Sequence, residues 1–504
     1  MTNLTDSDPK AIQNPSPVSP DQDQTILRAA NGDVLRADKT GLVLRLSDRV
    51  IHDIADRLPQ GSSANMSRPS HSPHIDPDVL GDIDAWDVRV DGEWYVFHAR
   101  MPGPASARLF RRLIVPDDIE IDAGIIADCG GPLVGYVSLG GLRRATGHKV
   151  ALQFPYHIVA PADDIGAVGM GGVEESEVLR CGMQIQELTR DAAVAEASLQ
   201  SRYEDFRQLP LHFVRAEHDG SSSIQELAKG TAYKNFLTNL QSLIALAERL
   251  NKTPVLGAIG LEYTLEDCQS TGDAWREGLY DLLLQISSDL KKLGLRRPSI
   301  LAMFDCGTRF IHDHEILRAQ CEFAWSGQNF GFHFSCPSYM FKCDSYGHLD
   351  TSALREVAEM ELAALNALDQ DQEWICPTVL LAERDPDPHV IRVKCRALAP
   401  LILDATDPFG AGAQFGFSFE GADAPVEILE VTLATDDKQD LLITCKSPPQ
   451  GADLKLRYGF GQNPERARLD YPPICGALRD TWQQQSSTGR LLHRWALPAV
   501  VPVH

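Results

Sequence analysis

A short polar stretch, Cys343-Asp344-Ser345-Tyr346-Gly347-His348-Leu349, places an aspartate four residues ahead of a histidine, just before an apolar helical run. Histidine is the side chain whose ordinary pKa suits it to take and return a proton near neutrality, and a carboxylate beside its ring fixes the tautomer. Hydrolytic chemistry would further need a nucleophile and hydrogen-bond donors for a developing oxyanion. The same aspartate and histidine also read as a histidine satisfied at a helix entrance. His312-Asp313-His314-Glu315 carries metal-ligating side chains, but consecutive residues point in different directions and a helix start explains them. His71, His74 and Asp76 lie in the Pro- and Ser-rich stretch 59–78, which supplies no rigid surroundings for a metal. A Gly-rich loop, Ala160 to Gly172, lacks both the GxGxxG spacing and the Lys-Ser/Thr of a phosphate cradle.

The elements around these residues alternate. Phe236, Leu240, Leu243, Ala247 and Leu250 recur at helical spacing, and so do Leu279, Leu282, Leu283, Ile286 and Leu290. Strand-like runs lie between and beyond them at 211–214, 255–259, 300–304 and 332–335, with a helix starting near His314 and a closing helix over 351–368. Parallel strands joined by helical crossovers explain the series, and a first strand is expected at 150–159. Ahead of it, runs at 86–90 and 94–97 flank an Asp91-Gly92 turn, and further runs at 109–115, 119–126 and 132–139 complete a small β domain. Its Trp and Tyr residues suit a core, with sugar stacking as the other use. After Trp374 the period becomes two, with six short strands between 390 and 458 that predict a β-sandwich. No tandem repeat is present.

The 504 residues are too many for one core and suggest roughly three domains. The expected division is a disordered arm over 1–28, a β-rich domain over 29–148, the α/β domain over 149–370 and the sandwich over 371–504. With 47 Lys and Arg against 70 Asp and Glu, the net charge of −23 argues against nucleic acid. No apolar run reaches the roughly 18 residues of a membrane span. The first 25 residues lack the order of a signal peptide, so synthesis in the cytoplasm is expected, with release by lysis as a route outside. Eleven cysteines, with no CxxC pair, read as buried thiols.

Taken in order, several stretches resemble the SGNH (GDSL-like) hydrolases, in the sialate O-acetylesterase-like branch found in phage-related and bacterial surface proteins. Gly220 to Ile224 with Leu227 to Tyr233 is similar to a Gly-Gly-Thr-Ser-Ile segment and its Lys-Gly-Thr. Ala258 to Asp267 stands where the branch has Trp-x-Gln-Gly-Glu-x-Asp, and Asp344 to Leu349 resembles the closing Asp-Gly-Val-His-Leu block. Pro400 to Asp404 and Gly476 to Thr481 are similar to the sandwich that often follows.

The resemblance implies a three-layer, flavodoxin-like α/β domain with a parallel sheet. It implies His348 as general base, Asp344 as its orienting acid, Gly220 as an oxyanion donor and no cofactor or metal. The spacing Asp-x-x-x-His departs from the family's Asp-x-x-His. The family's serine follows the first strand, and there this chain is expected to carry Asp163 or Asp164; a carboxylate forms no alkoxide and repels an oxyanion. Tyr263 stands in place of the amide donor, where a phenol would project into the pocket. Ser176 and the Ser221 to Ser223 run are the alternative nucleophiles.

The expected function is therefore recognition of a cell-surface polysaccharide, or structural assembly, by a degenerate SGNH-like domain. It would suit a homo-oligomeric spike or fibre component of a phage or gene-transfer-agent-like particle, with particle proteins as further partners. An active carbohydrate O-acetylesterase using His348 and Asp344 is the alternative.

Overall fold

A computed structural model describes the strands at 24–29, 32–38 and 41–44 and, from residue 77 onward, everything except 105–106, 115–123, 162–182, 185–186, 221 and 461–469. The chain forms two compact units, Met1–His71 and Ser72–His504. In the first, β1 (Gln24–Ala29), β2 (Gly32–Asp38) and β3 (Gly41–Leu44) make an antiparallel meander. Strand β1 takes up the last residues of the stretch expected to be an arm; 1–23 lie outside the described residues.

The second unit opens with an antiparallel sheet of β4 (Ala85–Asp91), β5 (Trp94–Arg100), β6 (Ala107–Leu113) and β7 (Ile125–Ala127). Asp91 pairs with Trp94 across the expected turn, where Gly92 takes φ +62°, a conformation that favours glycine. Trp94 is buried in the core, whereas Trp86 is exposed and stacks on His98.

The central sheet runs β10-β9-β11-β8-β12-β13-β14. Its strands are β8 (Leu133–Gly140), β9 (Ile158–Ala160), β10 (Met183–Gln184), β11 (Leu211–His218), β12 (Pro254–Glu262), β13 (Ser299–Phe304) and β14 (Phe332–Pro337). All neighbours are parallel except β10, which pairs antiparallel with β9. Numbered by their order in the chain, the six parallel strands stand as 2-3-1-4-5-6; without the short strand β9 the order is 2-1-3-4-5, and the winding reverses at β8. The helices are α1 (Leu142–Ala145), α2 (Arg190–Glu204), α3 (Ile224–Leu227), α4 (Thr231–Arg249), α5 (Gly272–Lys292), α6 (Glu315–Ser326) and α7 (Thr351–Asp369). Gly135 of β8 faces Leu243 of α4, while the next residue, Tyr136, faces Ser198 of α2. Successive strand residues point to opposite faces, so α2 and α4 cover opposite sides of the sheet.

This placement corrects the expected start of the α/β region. The strand over 132–139, assigned to the leading β domain, is β8, the strand at which the sheet reverses. The run expected as first strand contributes only β9, outside β11, and the loop after it, including Asp163, Asp164 and Ser176, lies outside the described residues. Gly135 and Ser138 break the apolar run of β8. Its eight residues therefore look like one more short antiparallel strand rather than the continuous apolar run of a strand buried on both faces.

From Thr378 the chain is antiparallel β in three sheets with their own core. These are β15 (Thr378–Arg384), β16 (Val390–Arg396), β20 (Asp440–Cys445) and β19 (Ile428–Leu433); β17 (Leu401–Leu403), β22 (Leu478–Gln485) and β23 (Leu491–Trp495); and β18 (Phe417–Glu420), β21 (Lys455–Tyr458) and β24 (Ala499–Pro502). Six of these ten strands match the expected runs. The sequence reading missed β22, where Gln483, Gln484 and Gln485 mask the alternation.

Candidate functional site

In open α/β sheets a crevice forms beyond the carboxyl ends of the strands where the winding reverses, because successive crossovers leave there on opposite faces. Here that point is the end of β8. Gly140 and Gly141 are pinched between β8 and β12: a Cβ on Gly140 would fall on the Glu262 carbonyl oxygen, and one on Gly141 on the Glu266 carboxylate. The Gly141 amide donates to the Glu262 carbonyl at 2.9 Å, and the chain then turns into α1 through Leu142, which is exposed.

Arg143, the next residue, organises the crevice. Its Nε donates to Glu266 Oε1 at 2.9 Å, and its Nη2 to Asp305 Oδ2 at 2.7 Å and to Thr264 Oγ1 at 3.0 Å. Asp305, after β13, also accepts from the Thr264 hydroxyl and from the Gly307 amide. Burial by itself would lower the Arg143 guanidinium, but Asp305 and Glu266 outweigh it and hold it well above its ordinary value. Burial by itself would raise Asp305, and Arg143, Thr264 and the Gly307 amide outweigh that and hold it below the usual carboxylate value. Behind this layer Arg144 donates to Glu361 at 2.6 Å, to Asp191 at 2.9 Å and to Ser138 at 3.0 Å, and Arg190 donates to Glu262 at 2.9 Å. The α1 turn is thus clamped by charge-assisted bonds.

Asp344 and His348 close a tight loop after β14. His348 Nδ1 lies 3.0 Å from Asp344 Oδ2, and Asp344 Oδ1 accepts from the amides of Tyr346 at 2.8 Å and His348 at 2.9 Å. The extra residue in Asp-x-x-x-His is absorbed by Gly347 at φ +88°. Burial pushes the Asp344 carboxyl up, but the bonds from the His348 ring and the two amides outweigh it, so it is lowered. The expected pairing is therefore present. A Cβ on Gly347 would lie 3.1 Å from Arg143 Cδ, so the histidine loop rests on the stem of Arg143. Among the described residues no hydroxyl is hydrogen-bonded to the His348 ring.

Tyr263 is buried and does not project into an open pocket as expected. Its hydroxyl donates to the Ser222 carbonyl at 2.7 Å, and burial pushes its pKa up. It ties the end of β12 to the turn that holds Gly220, which is exposed with open space around it. Ser221 lies outside the described residues. His314 caps α6, its Nδ1 accepting from the Ile316 amide at 3.3 Å, in keeping with the helix-start reading. His71, His74 and Asp76 are outside the described residues.

The sequence reading missed Arg143, Asp305, Phe310 and the site role of Glu266. No spacing marks Arg143, because it follows a strand placed in the wrong sheet. Phe310 and Tyr346 are 61% and 64% exposed, and their ring centroids are 5.4 Å apart. Tyr346 lies in turn 6.4 Å from the His348 ring. Two large aromatic faces stand in water beside the aspartate–histidine pair.

No family model and no curated protein matches the chain. Among solved structures it is similar to a protein of Arabidopsis thaliana, at 13% identity and a TM-score of 0.32 over 47% of this chain and 98% of that one. It is also similar to the N-terminal part of the bacterial S-layer protein SbsC, at 11% identity and a TM-score of 0.17 over 62% of this chain and 52% of that one. Likenesses this slight carry no argument about fold or function.

Proposed function

We propose that the chain is a catalytically degenerate SGNH-like protein that recognises a cell-surface polysaccharide at the carboxyl edge of its parallel sheet, as a spike or fibre component of a phage-like particle would. Its flavodoxin-like layout is inferred from the 2-1-3-4-5 order of the parallel strands other than the short strand β9. In the family's Gly-x-Ser turn after the first strand, Gly140-Gly141-Leu142 is then the matching segment, replacing the expected Asp163 or Asp164. A leucine offers no oxygen to attack an ester, and Arg143 fills the neighbouring space with its carboxylate partners.

The observation that carries the binding reading is the Phe310 and Tyr346 pair. Exposed rings at a rim bury apolar area and stack on the C–H face of a sugar, while the exposed Asp344 carboxylate accepts from its hydroxyl groups and the Tyr346 hydroxyl donates to them. The test is a screen of the intact protein against capsular polysaccharides, repeated with Phe310→Ala and Tyr346→Ala. Each variant is expected to weaken binding about tenfold, with Phe206→Ala, an exposed ring elsewhere, as control. Binding that survives both changes overturns the assignment of the site.

The retained His348 and Asp344 pair favours a second reading, an active carbohydrate O-acetylesterase. It requires ester hydrolysis that disappears in His348→Ala.

A further inference from the structure

At the opposite, amino-terminal edge of the central sheet lies a cavity of about 850 Å³. Its floor is the start of β8, β11 and β12, and its walls are the carboxyl ends of α2 and α7 and the loop between α5 and β13. That volume suits a small molecule rather than a few waters. Four arginines line it: the half-buried Arg202 in the last turn of α2, and three exposed residues, Arg207 just beyond that helix and Arg296 and Arg297 from the loop before β13.

In a chain of net charge −23, arginines commonly find carboxylates, as Arg143, Arg144, Arg190, Arg392 and Arg479 do. None of these four guanidinium groups makes a hydrogen bond or ion pair with another described residue. Asp369, on the rim, is within electrostatic range of Arg296 but not paired with it. Arg297 is an exposed residue, and partial burial lowers its guanidinium from the ordinary value.

The floor adds polar groups. His212 is buried, and neither ring nitrogen has a well-formed hydrogen bond; its ring stacks on Tyr136 at 5.2 Å, and both line the cavity with Ser198. Arginines can complement the partial negative charge at helix carboxyl ends, and Arg202 stands in the last turn of α2. That role needs no cavity, and it leaves unexplained why Arg296 and Arg297, beyond the end of α5, line the same space.

We propose that this cavity binds a small polyanion carrying two or more phosphate- or sulfate-type groups, with the Arg202/Arg207 and Arg296/Arg297 pairs each taking one group. Guanidinium forks match tetrahedral oxyanions bidentately, and unpaired forks in a cavity are set for that without first breaking an internal ion pair. The site is separate from the carboxyl-edge crevice and does not depend on what that crevice binds.

Calorimetry on the full chain at about 0.15 M salt tests it, with pyrophosphate, inositol hexakisphosphate and a persulfated disaccharide as separate probes. Saturable 1:1 binding of at least one is expected, weakening as salt rises. The probe preferred distinguishes a phosphate from a sulfate source. Arg202→Gln/Arg207→Gln and Arg296→Gln/Arg297→Gln should each reduce affinity at least tenfold, with Arg309→Gln as the control. Circular dichroism and Tm of each variant identify unfolding. Absence of saturable binding to all three probes, or binding unchanged in both folded double variants, overturns the proposal. Variants that lower Tm in a protein that binds no probe would assign the arginines to the helix ends instead.

Discussion

At the scale of single residues, the shielded charges of the crevice are matched to one another. Arg143 stands between Glu266 and Asp305, and both carboxylates are shielded from solvent. Removing the arginine leaves two nearly buried negative charges side by side, so Arg143→Ala is expected to destabilise the protein by about 3 kcal/mol in urea unfolding. A loss below about 1 kcal/mol would mean that water already screens the pair. His348 has its orienting aspartate, and among the described residues no hydroxyl is hydrogen-bonded to its ring. Purified protein and His348→Ala should therefore hydrolyse p-nitrophenyl acetate at the same slow rate, that of surface nucleophiles. A rate well above background that depends on His348 would transfer the conclusion to the esterase.

At the scale of elements, close packing and charge-assisted bonds fix the junction of β8 and α1. Gly140 and Gly141 permit β8 and β12 to approach closely, and the helix that follows is anchored by Arg144 to three different segments. Gly140→Ala places a methyl against the Glu262 backbone, which has no side-chain freedom with which to yield. We expect a cost of about 3 kcal/mol in the same unfolding measurement, whereas Gly220→Ala, in open space, should cost under about 1 kcal/mol. Equal effects at the two glycines would show that the β8 and β12 ends are not closely packed. Strand β11 makes a related point. All eight of its residues are buried, and it carries Arg215 and Glu217, whose bond at 3.1 Å and the contact of Asn239 with Glu217 allow charge inside the sheet.

At the scale of the whole molecule, buried histidines set the response to acid. Burial pushes His157 down to about 4, His212 to about 3 and His333 to about 4. Each stays neutral in the folded chain, while in the unfolded chain it takes up a proton near pH 6.5. The unfolded state thus binds more protons below that pH, and stability falls as pH drops from about 6.5 toward 4, on the order of 1 kcal/mol per pH unit for each histidine. Asp305 and Asp344, whose carboxyls are lowered in the fold, add a further loss as pH falls below about 4. The urea midpoint should be lower at pH 5 than at pH 7.5, and a flat profile over that range would contradict the buried neutral state of these rings. No helix among the described residues is long and apolar enough to cross a membrane.

Local signals in the sequence determined much of this. Helical periodicity marks α4, α5 and α7, and the Asp-Gly turn marks the β4–β5 hairpin, because both depend on neighbouring residues alone. The Asp344 and His348 pairing was legible for the same reason: four residues and one glycine suffice to close it. The tertiary structure decided which strand stands where the sheet reverses. That depends on pairing between segments about 80 to 120 residues apart, Leu133–Gly140 with Leu211–His218 and with Pro254–Glu262. Once β8 holds that position, Leu142 and Arg143 occupy the head of the crevice. Arg143 meets Glu266 and Asp305 only because three loops converge there, a proximity that spacing along the chain does not encode.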